Sequence, residues 1–227
     1  MKTDTQSLAR LRLLHFLSPA LPVGSYSYSQ GLEWAVEAKW VVDESSFIPW
    51  IASQIASVLA EQELPLLVRL YNAVMHDDLE KFNYWCQFTV ALRDTAELRK
   101  EEQSRADAYL RVLEIIEPPN HVWHREFFAK TPLASIAYFA VRNAINMESL
   151  LEAYAHVWLE TNVVSGVKII PLGQSAGQRI LFEASPKITD AIATALQIDD
   201  ESVGISMPAL SHASCHHETQ YSRVYRS

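Results

Sequence analysis

Apolar residues recur every three or four positions along most of this chain, and the turn chemistry of a sheet is missing. Phe47, Ile51, Ile55, Val58 and Leu59 follow helical spacing. So do Leu66, Leu67, Leu70, Tyr71 and Val74, and then Leu79, Phe82, Cys86 and Val90. Leu8, Leu11, Leu14 and Leu17 read as the stripe of an N-terminal amphipathic helix. There are six glycines in 227 residues and none follows Asn or Asp, so the strongest short-range hairpin signal is absent.

Helix punctuation agrees with the spacing. Asp43 is placed to cap a helix that carries Glu44 in its first turn and tolerates Pro49 near its start. Thr131-Pro132 and Ser185-Pro186 each read as an N-cap followed by proline at the first helical position. Pro118-Pro119 ends a long helix that begins near Thr95. Its many charges read as a solvated face with i,i+4 pairs, leaving Leu98, Ala106, Tyr109, Leu110, Leu113 and Ile116 to pack. Further helices are expected over about 132–146, 148–165, 174–184 and 186–197, and residues 199–210 look like a linker. The expected fold is all-α: a single-domain bundle of about eight to ten helices over residues 1–205, with an irregular C-terminal tail over 206–227.

A formal net charge of −8 argues against nucleic acid as a partner. No segment approaches the roughly 20 apolar residues of a membrane span, and Asp4 and His15 spoil the N-terminus as an export signal. Cys86 and Cys215 make no disulfide framework, which suits a reducing compartment; the expected location is cytoplasmic.

Three chemistries are suggested by short motifs. Gly173-Gln174-Ser175-Ala176-Gly177 matches the nucleophile elbow of serine hydrolases, with VKIIPL before it as the only strand candidate and Asp190, Asp199, His212 and His217 following in order. That elbow requires a multi-stranded sheet and an oxyanion segment, and the helical spacing supplies neither. The motif therefore reads as a helix entrance at Gln174. His212, Cys215, His216 and His217 offer ligands for zinc, nickel or copper(I), but a tail lacks the fixed supporting groups of a tight site, so they stand as weak metal candidates. No P-loop occurs, so the chain is not itself a P-loop NTPase. His76, His121 and His124 read as packed or solvated, and His156 as a core histidine. The six tryptophans read as core or interface fillers.

Two segments stand apart from the helical pattern. Residues 18–34, SPALPVGSYSYSQGLEW, restrict the backbone at two prolines and free it at Gly24; Tyr26 and Tyr28 project together if the segment is extended. Residues 211–227, SHASCHHETQYSRVYRS, concentrate histidine, tyrosine and arginine with a single acid. Tyr221 and Tyr225 lie four apart and share one face if the tail is helical on a partner. Arg223 and Arg226 suit bidentate hydrogen bonds, and both residue types are enriched at the energetic centres of interfaces.

Together these ends resemble the UreF family of urease accessory proteins. ALRDTAELRKEEQSRADAYLRVL is similar to that family's charged central helix, and SGVKIIPLGQSAGQ to its late P-x-G-Q stretch. The chain departs from the family pattern at Gly24-Ser25, where a second glycine is usual, and His212, Cys215 and His216 look like local additions. The resemblance implies an all-helical, non-enzymatic protein without a cofactor of its own. It implies docking to UreD (also called UreH), recruitment of the nickel-carrying GTPase UreG, delivery of nickel to apo-urease, and a homodimer within that complex. It places partner binding on Pro22, Gly24, Tyr26, Tyr28, Gln30, Gly31 and Glu33, and on His217, Glu218, Gln220, Tyr221, Ser222, Arg223, Tyr225 and Arg226. An arginine supplied in trans to the GTPase, Arg223 or Arg226, is the alternative.

Overall fold

The structure, a computed structural model, describes residues 2–205 and 207–226. Ser206, where the tail was expected to begin, lies outside the described residues. Among those described there are ten helices and no strand. The helix α1 spans Lys2–Phe16 and α2 spans Leu32–Glu37. The helix α3 begins as Glu44–Gln54, passes through a π-helical stretch at Ile55–Glu63 and continues as Leu64–Met75. Then come α4 (Leu79–Ala91), α5 (Ala96–Ile116), α6 (Arg125–Phe128), α7 (Pro132–Arg142), α8 (Met147–Ile169), α9 (Gln174–Gln197) and α10 (Pro208–His217).

The core is built around α7, where every residue from Pro132 to Ala140 is buried. Both α3 and α5 pack on it, and Phe16 of α1 stacks on Phe139 with ring centroids 4.1 Å apart. Capping chemistry starts the helices where the sequence places it. Asp43 accepts from the Ser46 backbone N–H while the Ser46 hydroxyl accepts from Asp43, a reciprocal cap. Thr131 caps α7 ahead of Pro132, and α5 ends at Ile116, ahead of the proline pair.

The structure corrects several expectations. On α1 the buried face is Ala9, Leu13, Phe16 and Leu17, while Leu8, Leu11 and Leu14 face solvent. The i,i+3 leucine row was the more conspicuous, but the i, i+4, i+7 row meets the core. The helix α9 runs unbroken through Ser185 and Pro186. Both residues are on its exposed side, where water can serve a carbonyl left without its N–H partner. His156 is exposed rather than a core residue. On α5, Glu101 and Glu102 are buried and not part of a solvated face.

Among the described residues the tail is irregular from Glu218 to Arg226. Before it, the expected linker reaches only to Met207, because Pro208 opens α10 and Leu210, Ala213, Ser214 and His217 bury one face of it.

Candidate partner-binding site

The two unusual ends meet, and they meet through two carboxylates. Gly24 takes a left-handed conformation at φ +73° and leads into a 3-10 turn at Ser25–Ser27, so the segment is not extended. The tyrosines consequently part: Tyr28 is buried, while Tyr26 is 37% exposed with the Lys168 ammonium 5.1 Å from its ring centre. Gln30 (φ +51°) and Gly31 (φ +81°) then turn the chain into α2, which places Glu33 in the first turn with its carboxylate inward. The second carboxylate is Glu97, in the first turn of α5.

His217 ends α10 between them and is 0% exposed. Its Nδ1 lies 2.6 Å from Glu97 Oε2 and its Nε2 lies 3.2 Å from Glu33 Oε2. The following residues use the same two acids. The N–H groups of Val224 and Tyr225 donate to Glu33 at 2.6 and 2.9 Å, and Arg223 Nη1 donates to Glu97 Oε1 at 2.5 Å. Arg226 N–H donates to the Ser27 carbonyl at 2.9 Å, closing the C-terminus onto the N-terminal turn.

Glu218 works from the other side. Its Oε1 accepts from the backbone N–H groups of Ala96 and Glu97 at 2.8 and 3.2 Å. These are orphan donors of the first turn of α5, so the tail caps a helix more than a hundred residues away in sequence. Thr95, the N-cap of that helix, shares a 2.7 Å hydrogen bond with Ser214, and the Ser211 hydroxyl donates to Asp94. Tyr225 is buried with its hydroxyl 3.5 Å from the Ser165 carbonyl, and burial pushes its phenol up from the ordinary value.

One side of this clasp is therefore spent on the chain itself and the other is not. Tyr221 is fully exposed, Val224 is 78% exposed, and Pro22, Gly24, Ser222 and Arg226 are exposed. The Arg226 guanidinium has no ion pair or hydrogen bond among the described residues. Gln220 donates to the Ser222 carbonyl at 3.1 Å and so shapes the bend. Because the chain after Glu218 is not helical, Tyr221 and Tyr225 point to different environments instead of sharing a face.

Sequence reasoning missed Glu97, Thr95, Ser165 and Asp94 as the seats of the tail. The one signal for them was Thr95 as a cap at the start of an acid-rich helix. It also missed the buried ladder beneath the clasp. Arg93 bridges Glu63 (2.6 Å) and Glu102 (2.8 Å), Tyr154 donates to Glu63, Thr131 donates to Glu102, and Gln30 donates to Glu101 at 3.0 Å.

The other candidate chemistries are placed as follows. Ser175 lies exposed in the first turn of α9, with Gly173 as the N-cap and no strand among the described residues, so the elbow context is absent. His212, Cys215 and His216 are exposed on α10, turned away from the buried His217. No group of three or more His, Cys, Asp or Glu residues among the described ones is placed to hold a metal ion. No described helix is long and apolar enough to cross a membrane.

A model of the UreF family matches residues 41–185. The chain belongs to the UreF family. Its similarity to named members extends beyond that match and takes in both ends of the clasp. The urease accessory protein UreF of Pseudomonas putida F1 is 43% identical over 220 residues, covering 97% of this chain and 98% of its own. That of Alcanivorax borkumensis is 42% identical over 226 residues (96% and 98%). That of Pseudomonas entomophila is 41% identical over 227 residues and covers both chains completely. The UreF assignment places the GQSAG motif in a chain of accessory-protein relatives, in keeping with its position at a helix entrance.

Proposed function

We propose that this UreF-family chain is a non-enzymatic urease accessory protein that works by holding partners together. In this reading the clasp docks UreD/UreH. Two copies of this chain form a homodimer within that complex, which recruits the GTPase UreG and passes nickel to apo-urease in the cytoplasm. The supporting observation is the two-sidedness of the tail. Its inner side is fixed by Glu33, Glu97 and the α5 N-terminus, while Tyr221, Val224 and Arg226 present exposed aromatic, apolar and cationic groups. A preordered segment loses less entropy on docking than a free one, which favours binding at a given contact area.

The test is a surface variant rather than a truncation, since residues 218–226 also seat the core-facing Glu33 and cap α5. Tyr221→Ala combined with Arg226→Ala should leave thermal unfolding within about 0.5 kcal/mol of the parent, as for surface changes generally. It should remove co-purification with UreD and UreG and, with it, nickel-dependent urease activation. Undiminished co-purification by the double variant would sink the proposal. The trans-arginine reading falls to Arg226, because Arg223 is engaged with Glu97. Normal complex assembly by Arg226→Ala with a lower GTP turnover rate would favour that reading over pure docking.

A further inference from the structure

The outer face of α10 carries a second constellation that the clasp does not use. His212 and His216 lie one turn apart with ring centroids 4.5 Å apart and planes at 62°. Each ring is backed by an indole. His216 stacks on Trp34 (4.7 Å, 15°) and His212 on Trp40 (5.5 Å, 15°), while the two indoles meet edge to face at 5.0 Å. Both histidines are exposed, and no hydrogen bond engages any of their ring nitrogens among the described residues.

This arrangement has the dimensions of a chelate. Two imidazoles bound at a right angle on one ion, with metal–nitrogen bonds of about 2.1 Å, hold their ring centres about 4.6 Å apart, against about 5.3 Å at a tetrahedral angle. The stacking indoles restrict both rings before any ion arrives, so little rotamer entropy remains to be lost. A neighbouring indole face also favours the added positive charge. Hard ions such as magnesium prefer oxygen donors, whereas neutral imidazole suits copper, nickel and zinc, with copper(II) bound most tightly for a given donor set.

We infer that His212 and His216 form a two-imidazole chelate for a borderline divalent transition ion, with water completing its coordination. The inference concerns this chain's own surface and does not depend on the urease reading; the site would bind its ion with or without partners.

Calorimetric titration of the untagged full chain near neutral pH, with copper(II), nickel(II), zinc(II) and magnesium(II) chlorides, tests it. One equivalent of copper should bind, with nickel and zinc weaker and magnesium not binding. Copper should quench tryptophan emission from Trp34 and Trp40, reversibly with a chelator. His212→Ala and His216→Ala should each weaken binding roughly tenfold or more. Cys215→Ser and the His121→Ala, His124→Ala pair should match the parent. Circular dichroism of each variant reports whether the fold is kept. A reading on the parent alone does not depend on that: the copper complex should show nitrogen superhyperfine splitting in its electron paramagnetic resonance spectrum. Undiminished binding by the folded double His variant, a spectrum without nitrogen coupling, or equal affinity for magnesium would each overturn the inference.

Discussion

Gly31 is where the N-terminal segment packs closely against the backbone of α10. Its φ of +81° is left-handed, and a β-carbon there would stand 3.1 Å from both Ala213 Cβ and Ser214 N. The residue before it, Gln30, is also left-handed, held by its hydrogen bond to Glu101. A side chain at position 31 therefore meets two costs together: the strain of the left-handed region, and a push against α10. Gly31→Ala should lower stability by roughly 1–3 kcal/mol, measured by urea unfolding. Because the push falls on residues 213 and 214, the tail after His217 should also become more sensitive to limited proteolysis. A variant as stable as the parent and equally protected would show that α10 shifts freely, and that the seat of the clasp is looser than the Glu33 and Glu97 contacts indicate.

At the scale of elements, helix starts carry a pH dependence. Hydrogen bonds from Ser46 hold the Asp43 carboxyl below the ordinary aspartate value. The Lys81 N–H does the same for Asp78 at the start of α4, and Ser202 for Asp199 in the turn after α9. A carboxyl depressed in the fold contributes stability that is full above the unfolded value, about 3.9, and is lost as pH falls through the folded one. Urea midpoints measured from pH 5 down to 3 should therefore fall more steeply for the parent than for Asp43→Asn, Asp78→Asn, since asparagine caps equally well and does not titrate. Parallel curves would mean that other groups set the acid limb. Two helix starts were legible in the sequence because their chemistry is local: Asp43, and Thr131 before Pro132, each needed only their neighbours, whereas Asp78 was not read as a cap. Pro186 was misread for the complementary reason, since exposure of that side of α9 lets the helix continue past it. The clasp was half legible. Its residues were conspicuous as a composition, but their seats on Glu33 and Glu97 depend on α2, α5 and α10 converging, which no local pattern encodes.

At the scale of the whole molecule, the Arg93 ladder connects the core to the clasp. It joins Glu63 at the end of the π-helical stretch, Glu102 of α5, Thr131 ahead of α7 and Tyr154 of α8, and the neighbouring Glu101 carries Gln30 of the N-terminal segment. Arg93 is shared by two carboxylates that respond differently. Burial pushes both up, but for Glu63 the opposing pull of Arg93 and the Tyr154 hydroxyl prevails and its carboxyl lies below the ordinary value. Glu102, facing Glu63 as well, stays above it. Removing the arginine would leave two buried acids with no shared cation. Arg93→Met should therefore cost about 3–5 kcal/mol, the range for breaking a buried ion pair from one side, as read from urea unfolding at neutral pH. Replacing all three residues, Glu63→Gln, Arg93→Met and Glu102→Gln, should recover a large part of that loss, because no buried charge is then left unpaired. If the ladder also fixes the clasp through α5, the single variant should expose residues 218–226 to protease and the triple variant should restore their protection. A single variant within 1 kcal/mol of the parent would mean that water reaches these carboxylates. In that event the ladder would be a lining of the cleft beneath α10, and the clasp would have to be held by Glu33, Glu97 and the α5 N-terminus alone.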